Sequence, residues 1–337
     1  MEIYISIIIA VYNCHDYIRR CIDSAIDQQS ENYEIIIVDD GSTDGTSEIC
    51  DEYNEHERIK VIHQQNQGHT VARKVGVQEA KGQYICIVDA DDWIESTFAL
   101  DLEKSIERLD DTPDIISFNY NRVDLDGDNC SVISRVNCGY YNKERLTKLV
   151  YPIMLSDPSG EFYTFGVFPT LWSKAFKKEI IADVMELLDP GIVLGEDAFC
   201  VYLSFYKAES VLFIDKHLYN YQINSNSLTR KYAKNNFDKL SRLCELLDRT
   251  YPASLLEQVR RYKLSMLMGA ITNETRGPLH TKDIILELKN RCKIPTFQDC
   301  IYKTIAPNCS FYRKIIWRML KLRMYRLLVI SLRALKI

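Results

Sequence analysis

The chain has 337 residues, 46% hydrophobic and 26% charged, an ordinary balance for a folded soluble protein and long enough for one large domain with an appendage or for two domains. Its net charge of −5 conceals an asymmetry: residues 301–337 hold nine Lys and Arg and no acid, which leaves −14 on the first 300 residues. An acidic body with a basic end argues against a nucleic-acid binder and predicts one end that faces a membrane. The 11 cysteines include no C-x-x-C pair, which disfavours both a disulfide framework and a zinc site and fits a reducing cytoplasm.

"YISIIIAV" predicts a first strand rather than a signal peptide, and a helix follows over Asp16–Gln29 with Ile18, Cys21, Ile22, Ala25 and Ile26 on one face. "EIIIVDD" is a second strand, and "GSTDGTSEICDEYNEH" opens a helix with Ser, Thr and Asp as capping residues. A strand at "IKVIHQ", a helix over Thr70–Ala80, a strand at "YICIVDADD", a helix from about Ser96 to Leu109 and a strand at "DIISFNY" continue the alternation. Such alternation over short connections specifies an α/β fold with a doubly wound, mostly parallel sheet. Residues 121–157 are less regular, with "DLDGDNCSV" read as a hairpin turn, and "GIVL" before Gly195 is strand-like. From Asn235 onward the spacing is helical, which puts a domain boundary between Ser227 and Asn235. No uncharged apolar run reaches the length of a membrane span.

The polar residues gather at one edge of the expected sheet. Tyr12 and Asn13 follow the first strand, Asp39 and Asp40 end the second, Asn66 follows the third, and Asp89 and Asp91 end the fourth. These are carboxyl ends of parallel strands, where open α/β sheets bind ligands. Neither G-x-G-x-x-G nor G-x-x-x-x-G-K-[ST] occurs, so a bound phosphate is not cradled by a glycine loop. Asp89, Asp91 and Asp92 together pose an electrostatic problem, because clustered carboxylates repel and lose hydration unless a cation or hydrogen-bond donors compensate. A cation is the expected partner, and hard oxygen ligands specify Mg²⁺ or Mn²⁺. Asp92 by itself is expected to cap the next helix. His63 and His69 are assigned structural roles or roles supporting the site residues, Trp93 and Trp172 are more often core than sugar platforms, and His217 is read as a packed or solvated histidine, with an approach to the metal as the competing reading.

Seven ordered stretches resemble family 2 glycosyltransferases of bacterial surface-polysaccharide synthesis: "SIIIAVYN", "EIIIVDDGSTDGT", "IKVIHQQNQGHTVARKVGV", "AKGQYICIVDADDWI", "LWSKAFKKEI", "GIVLGEDAFC" and "KHLYNYQINSNSLTR". The resemblance covers roughly the first 230 residues and implies a GT-A fold, a nucleotide-diphosphate sugar (UDP being the commonest carrier), a divalent cation (Mn²⁺ or Mg²⁺) and inversion at the anomeric carbon. It implies a nucleotide-sugar-binding catalytic domain over residues 1–230, a helical extension over 231–300 and a basic tail over 301–337. By the same resemblance Ala10 and Tyr12 line the nucleoside pocket, and one of Asp39 and Asp40 bonds the base or ribose. Asn66 and Arg73 match N-x-G-x-x-x-A-R, with Arg73 toward the nucleotide, and Asp89 and Asp91 form the D-x-D pair that holds the metal and diphosphate. Asp197, in the Glu196–Asp197 pair, is the catalytic base, with Trp172, Lys174, Glu196, Ser227 and Arg230 toward acceptor or diphosphate. Three departures stand out: Ala10 replaces a usual Pro, Ser173 an Asn, and Gln222 an Arg whose role could pass to Arg230.

Two other readings use the same scaffold features. A non-catalytic sugar-nucleotide-binding or assembly subunit is disfavoured by the intact Asp89, Asp91 and Asp197, and a nucleotidyltransferase by the missing glycine-rich first loop. The tail, "FYRKIIWRMLKLRMYRLLVISLRALKI", read as one helix, places Trp317 and Tyr325 among basic residues. It predicts peripheral attachment to an anionic membrane surface at the inner face of the plasma membrane, beside a lipid-linked oligosaccharide acceptor. A helix packed on the protein, or an oligomer contact, is the competing reading of the same residues.

Overall fold

The computed structural model describes residues 4–107, 109–124, 126–157, 164–223, 235–305 and 309–334. In chain order the first elements are β1 (Ile5–Val11), α1 (His15–Ile26), β2 (Tyr33–Asp39), α2 (Thr46–Asp51), β3 (Ile59–His63), α3 (His69–Glu79), β4 (Tyr84–Asp89), β5 (Trp93–Ile94) and α4 (Phe98–Ile106). Next come β6 (Ile115–Val123), β7 (Asn129–Val132), β8 (Gly139–Asn142), α5 (Lys143–Arg145), β9 (Lys174–Lys177), α6 (Lys178–Glu186), α7 (Glu196–Lys207) and β10 (Ser210–Gln222). The helices α8 (Asn236–Thr250), α9 (Leu256–Arg276), α10 (Thr281–Arg291), α11 (Pro295–Lys303), α12 (Phe311–Lys321) and α13 (Tyr325–Ala334) complete the chain.

The chain divides into two compact units. The first comprises Met1–Thr147, Phe168–Pro190 and Glu196–Asn224, and is built on a ten-stranded sheet of order β3-β2-β1-β4-β9-β6-β10-β5, with β7 on β6 and β8 on β10. β3, β2, β1 and β4 run parallel, β9 runs antiparallel between β4 and β6, and β6 and β10 run parallel. The near-continuous apolar runs of β1, β2 and β4 are buried, as strands covered on both faces must be. The chain winds from β1 outward to β3 and then returns to place β4 on the other side of β1, so the winding direction reverses between β1 and β4. In register, Val11 of β1 lies opposite Asp39 of β2, and Ala10 lies opposite Asp89 of β4. Adjacent strands are about 4.8 Å apart, so the two carboxylates flank the end of β1. A crevice at such a reversal is where doubly wound sheets bind ligands.

One glycine fixes the depth of α3. A Cβ on Gly76 would lie 2.4 Å from Ile8 Cγ2, so the helix rests directly on β1, and Arg73 one turn earlier is carried to the strand ends. The expected hairpin turn after β6 is present, with the Asp124 carboxylate accepting from the backbone N–H groups of Asp126 and Asp128. "GIVL", by contrast, is an irregular turn and not a strand, and residues 191–195 group with the second unit.

That second unit comprises Lys148–Val167, Gly191–Gly195 and Ser225–Ile337. Its core is formed by apolar faces of α8 to α13, including Leu240, Leu243, Leu264, Leu267, Ile271, Leu288 and Phe297. Lys263 is fully buried and is held by Asp248 and Thr296, which supply the partners a buried ammonium requires. The last basic segment is two helices and not one, broken by a turn at Leu322–Met324 where Arg323 has φ of +58°. Trp317 and Tyr325 are buried, with Ile316, Leu320, Leu328, Val329 and Leu332, where α12 and α13 meet each other and α9, α10 and α11. No helix among the described residues is long and apolar enough to cross a membrane.

If these helices are integral to the second unit, Leu328→Ala should cost about 3 kcal/mol in stability through loss of buried side-chain volume. Chemical unfolding measures this directly, and a loss below about 1 kcal/mol would contradict the packing.

Candidate active site

The centre of the crevice is a guanidinium. Arg73, buried on the first turns of α3, donates from Nη2 to Asp89 Oδ1 at 2.6 Å and from Nη1 to Asp197 Oδ1 at 2.7 Å. The end of β4 and the start of α7 are thus joined through one side chain. Asp89 and Asp197 keep 29% and 27% of their side-chain surface accessible, so both carboxylates can still meet a ligand. The site is crowded all the same, and burial pushes the Asp197 carboxyl up to about 6; Arg73 opposes the rise, while Glu196 and Asp89 add to it. A carboxylate poised near neutrality is suited to general-base work.

His69, one helical turn before Arg73, lies with Nε2 2.7 Å from Glu196 Oε1. Burial alone would raise the Glu196 carboxyl, but the bond from His69 and its charge more than offset this and hold it below its ordinary value. Two side chains at i and i+4 on α3 therefore hold the two adjacent acids that open α7. The sequence reading gave His69 a structural or supporting role without naming Glu196 as its partner. The signal was available in the i, i+4 spacing of His69 and Arg73, which puts them on one helix face.

The carboxylates at the strand ends have separate tasks. Asp39 is buried: Oδ1 accepts from Ser42 N, and Oδ2 accepts from Ser47 Oγ at 2.6 Å and lies 2.9 Å from His63 Nδ1. Asp40, also buried, accepts from Gln64 Nε2 and Gln67 N at Oδ1 and from Gly68 N at Oδ2. Asp39 thus fixes the loop into α2, and Asp40 fixes the loop into α3. Asn66 is exposed in that second loop, and a Cβ on Gly41, at φ of +75°, would lie 3.0 Å from its backbone nitrogen. Ala10 is partly buried at the end of β1, and Tyr12 stands 48% exposed just beyond it.

Asp92 is not a helix cap. It is fully buried, accepting from Tyr219 Oη at 2.7 Å and from Gln222 N at 2.8 Å, while Tyr219 Oη accepts from Asp89 N. Burial, with Asp89 and Asp91 nearby, raises its pKa well above the carboxylate range, which favours the uncharged acid. Some of the repulsion anticipated at this strand end is therefore offset by Arg73, and Asp92 is met by the Tyr219 hydroxyl and the Gln222 N–H. The remaining question is whether Asp89 and Asp91 suit a divalent cation. Among the described residues no group of three or more His, Cys, Asp and Glu is arranged to hold a metal. Mg²⁺ bound with substrate phosphates uses one or two carboxylates and several waters, so an accessible D-x-D pair of hard oxygen donors fits such an ion.

Lys174 and Trp172 are turned inward. The ammonium of Lys174 is fully buried and donates to Phe168 O, Thr170 O and Ser173 Oγ, so it holds the turn before β9, and burial depresses its pKa. Trp172 stacks on Tyr219 at 4.4 Å and on Tyr221 at 5.7 Å, with Tyr120 edge-on at 4.7 Å. Trp93 is covered by the Arg20 guanidinium, 3.8 Å from its ring centroid. Arg20 also donates to Asp91 O and to Gln222 Oε1. Beside Gln222, where an Arg was expected, the cation comes from α1; sequence spacing gave no sign of this. Ser227 and Arg230 lie outside the described residues.

Residues 6–172 match glycosyl transferase family 2. The chain belongs to this family. Among curated relatives, EpsH of Bacillus subtilis (strain 168) is 28% identical over 337 residues, spanning 95% of this chain and 92% of EpsH. The glycosyltransferase GlyA of Streptococcus pneumoniae serotype 4 is 32% identical over 231 residues, which is 68% of this chain but 32% of GlyA. Residues 1–349 of S. aureus TarS, solved in complex with UDP-GlcNAc, superpose with a TM-score of 0.70 at 16% identity, covering 98% of this chain and 90% of that one. This family 2 glycosyltransferase therefore has the GT-A-type fold expected from its sequence.

His63 gives the family 2 scaffold a pH-dependent element. Its two ring nitrogens lie 2.9 Å from Asp39 Oδ2 and 3.0 Å from Asp51 Oδ1, and only the protonated ring can donate to both carboxylates. The bond to Asp39, reinforced by Asp51, raises the His63 pKa above its ordinary value of 6.5 despite partial burial. The stabilisation is therefore complete below the ordinary value and is lost as pH rises through the folded one. His63→Gln should be less stable than wild type at about pH 6, with the gap closing toward about pH 9. Unfolding curves at the two pH values test this, and a gap that widens with pH would contradict the pairing.

Proposed function

We propose that this glycosyltransferase moves a sugar, with inversion, from a UDP-sugar to a hydroxyl of a growing, lipid-linked surface polysaccharide. The observation that carries this reading is the Asp89–Arg73–Asp197 bridge, which brings a donor-side acid and a base candidate into one crevice. The TarS complex with UDP-GlcNAc, on the same fold, supports a UDP-sugar donor and a hexosyl or N-acetylhexosaminyl transfer. A cytoplasmic enzyme at the inner face of the membrane is supported by the basic residues of the last two helices. The non-catalytic alternative has less support, since the acids form one hydrogen-bonded set with Arg73.

The nucleoside lies against Ala10 and the exposed Tyr12, beside the loops that Asp39 and Asp40 hold, with Asn66 at the rim. Asp89 and Asp91 would hold Mn²⁺ or Mg²⁺, which would supply charge neutralisation for a departing diphosphate. Arg73 adds a fixed positive charge beside Asp89, where it stabilises the same developing charge. Asp197 takes the proton of the acceptor hydroxyl as its oxygen bonds to the anomeric carbon, and the bond from that carbon to the diphosphate oxygen breaks. Attack and departure occur on opposite faces of the sugar, which inverts the centre. Glu196, fixed by His69, keeps the first turn of α7 in place for this transfer.

Released UDP, measured with donor, Mn²⁺ and a lipid-linked acceptor, tests the assignment. Asp197→Asn is expected to reduce transfer on the order of 10²-fold or more while leaving donor affinity nearly unchanged. If donor affinity collapses instead, Asp197 is a binding residue and the base lies elsewhere.

A further inference from the structure

The last two helices have two different faces. The inward face, from Ile316 to Leu332, is consumed by packing inside the second unit. The outward face is not polar in the way a solvated helix surface is. On α12, Phe311 is 77% exposed and Leu322 just past the helix end is 69% exposed, with the exposed Arg318 between them. Spacings of seven and four residues place these three side chains on one line along the helix. On α13, Leu327 and Ile330 are exposed beside Arg326 and Arg333. Met324 is also exposed, so the turn and the first residues of α13 carry three large apolar side chains, Leu322, Met324 and Leu327, within six residues.

Scattered exposed leucines need no explanation, but here they alternate with cations that the protein leaves uncompensated. No acid occurs from residue 301 onward, and Lys314, Arg318 and Arg326 have no ion-pair or hydrogen-bond partner among the described residues. Arg323 and Arg333 are engaged, by Tyr302 Oη and by Thr281 Oγ1 with Leu279 O, and Lys321 lies 4.9 Å from the Trp317 ring centroid. The free cations therefore alternate with apolar side chains on the outward faces of the two helices. An anionic bilayer answers both features, because phosphates meet the cations while the apolar side chains enter the headgroup boundary and the long basic stems snorkel.

We propose that the α12–α13 turn and the outward faces of these helices dock on an anionic lipid surface. Leu322, Leu327 and Ile330 enter the boundary, and Lys314, Arg318 and Arg326 meet the lipid phosphates. The inference deepens the membrane-side part of the function proposed above and gives its contact residues. Trp317 and Tyr325, which the sequence places among the basic residues of this segment, are buried in the protein and take no part in the contact.

The test uses the full chain with vesicles of phosphatidylcholine, alone or mixed with phosphatidylglycerol. Wild type is expected to sediment with the mixed vesicles at low salt, to be released as salt rises, and to ignore phosphatidylcholine alone. The combined variant Leu322→Gln, Leu327→Gln, Ile330→Gln changes exposed positions, so its unfolding curve should match wild type while vesicle affinity falls on the order of tenfold or more. Arg318→Gln with Arg326→Gln should also weaken binding about tenfold and flatten its salt dependence. Unchanged vesicle binding by the triple variant would overturn the proposal, as would failure of wild type to bind the mixed vesicles. Lipid-free dimerisation of wild type that the triple variant abolishes would overturn it too, since the face then belongs to a second copy. Donor affinity measured on the same preparations separates the two readings. Lost vesicle binding with intact donor binding removes the docking surface alone, and intact vesicle binding without donor affinity removes the catalytic reading alone.

Discussion

The guanidinium of Arg73 is buried between two carboxylates that come from different elements, one ending a core strand and one opening a helix. A buried charge without partners is costly, and removal of one partner from such a set typically destabilises by about 3–5 kcal/mol. The position of Arg73 is in turn imposed by backbone constraints. Gly76 lets α3 rest on Ile8 of β1, and Asp40 anchors the loop through the N–H groups of Gln67 and Gly68 just before the helix begins. The result is that the end of β4 and the start of α7 are tied together by one fixed charge. Preorganised charge of this kind stabilises a transition state without reorganisation at the moment of reaction.

Much of this was legible in the sequence because it rests on local pattern. Buried parallel strands must be apolar on both faces, and β1, β2 and β4 announce themselves as unbroken Ile, Val and Cys runs. The acids that follow those runs had to lie at one sheet edge, and they do. What local pattern could not supply is the partner of each acid. The three aspartates after β4 read as needing a cation or hydrogen-bond donors, yet Arg73 lies 16 residues earlier than Asp89, and the Tyr219 hydroxyl that donates to Asp92 lies 127 residues later. Lys174 shows the same limit in reverse. A lysine in a motif reads as a ligand for phosphate, but three oxygens of its own turn and a complete loss of solvent contact make it a structural cation.

The final basic segment was ambiguous for a related reason. Its apolar residues spread beyond one face, so a single amphipathic helix was a poor fit. The structure resolves the excess by assigning the residues to two helices with two uses. Trp317, Tyr325 and Leu328 face the other helices of their unit, and Leu322, Leu327 and Ile330 face outward. Composition can signal that a segment has more apolar surface than one face needs, but not which half the protein keeps for itself.

Asp197, proposed above as the base, has a proton affinity raised by its crowded site and held in check by Arg73. A ¹³C NMR titration of the Asp197 carboxyl, in wild type and in Arg73→Met, measures this without depending on turnover. The expected midpoint is about 6 in wild type, with a clear upward move when the guanidinium is removed, since burial, Glu196 and Asp89 then lose their main opponent. A wild-type midpoint near the ordinary 3.8, or one that does not move in Arg73→Met, would contradict it.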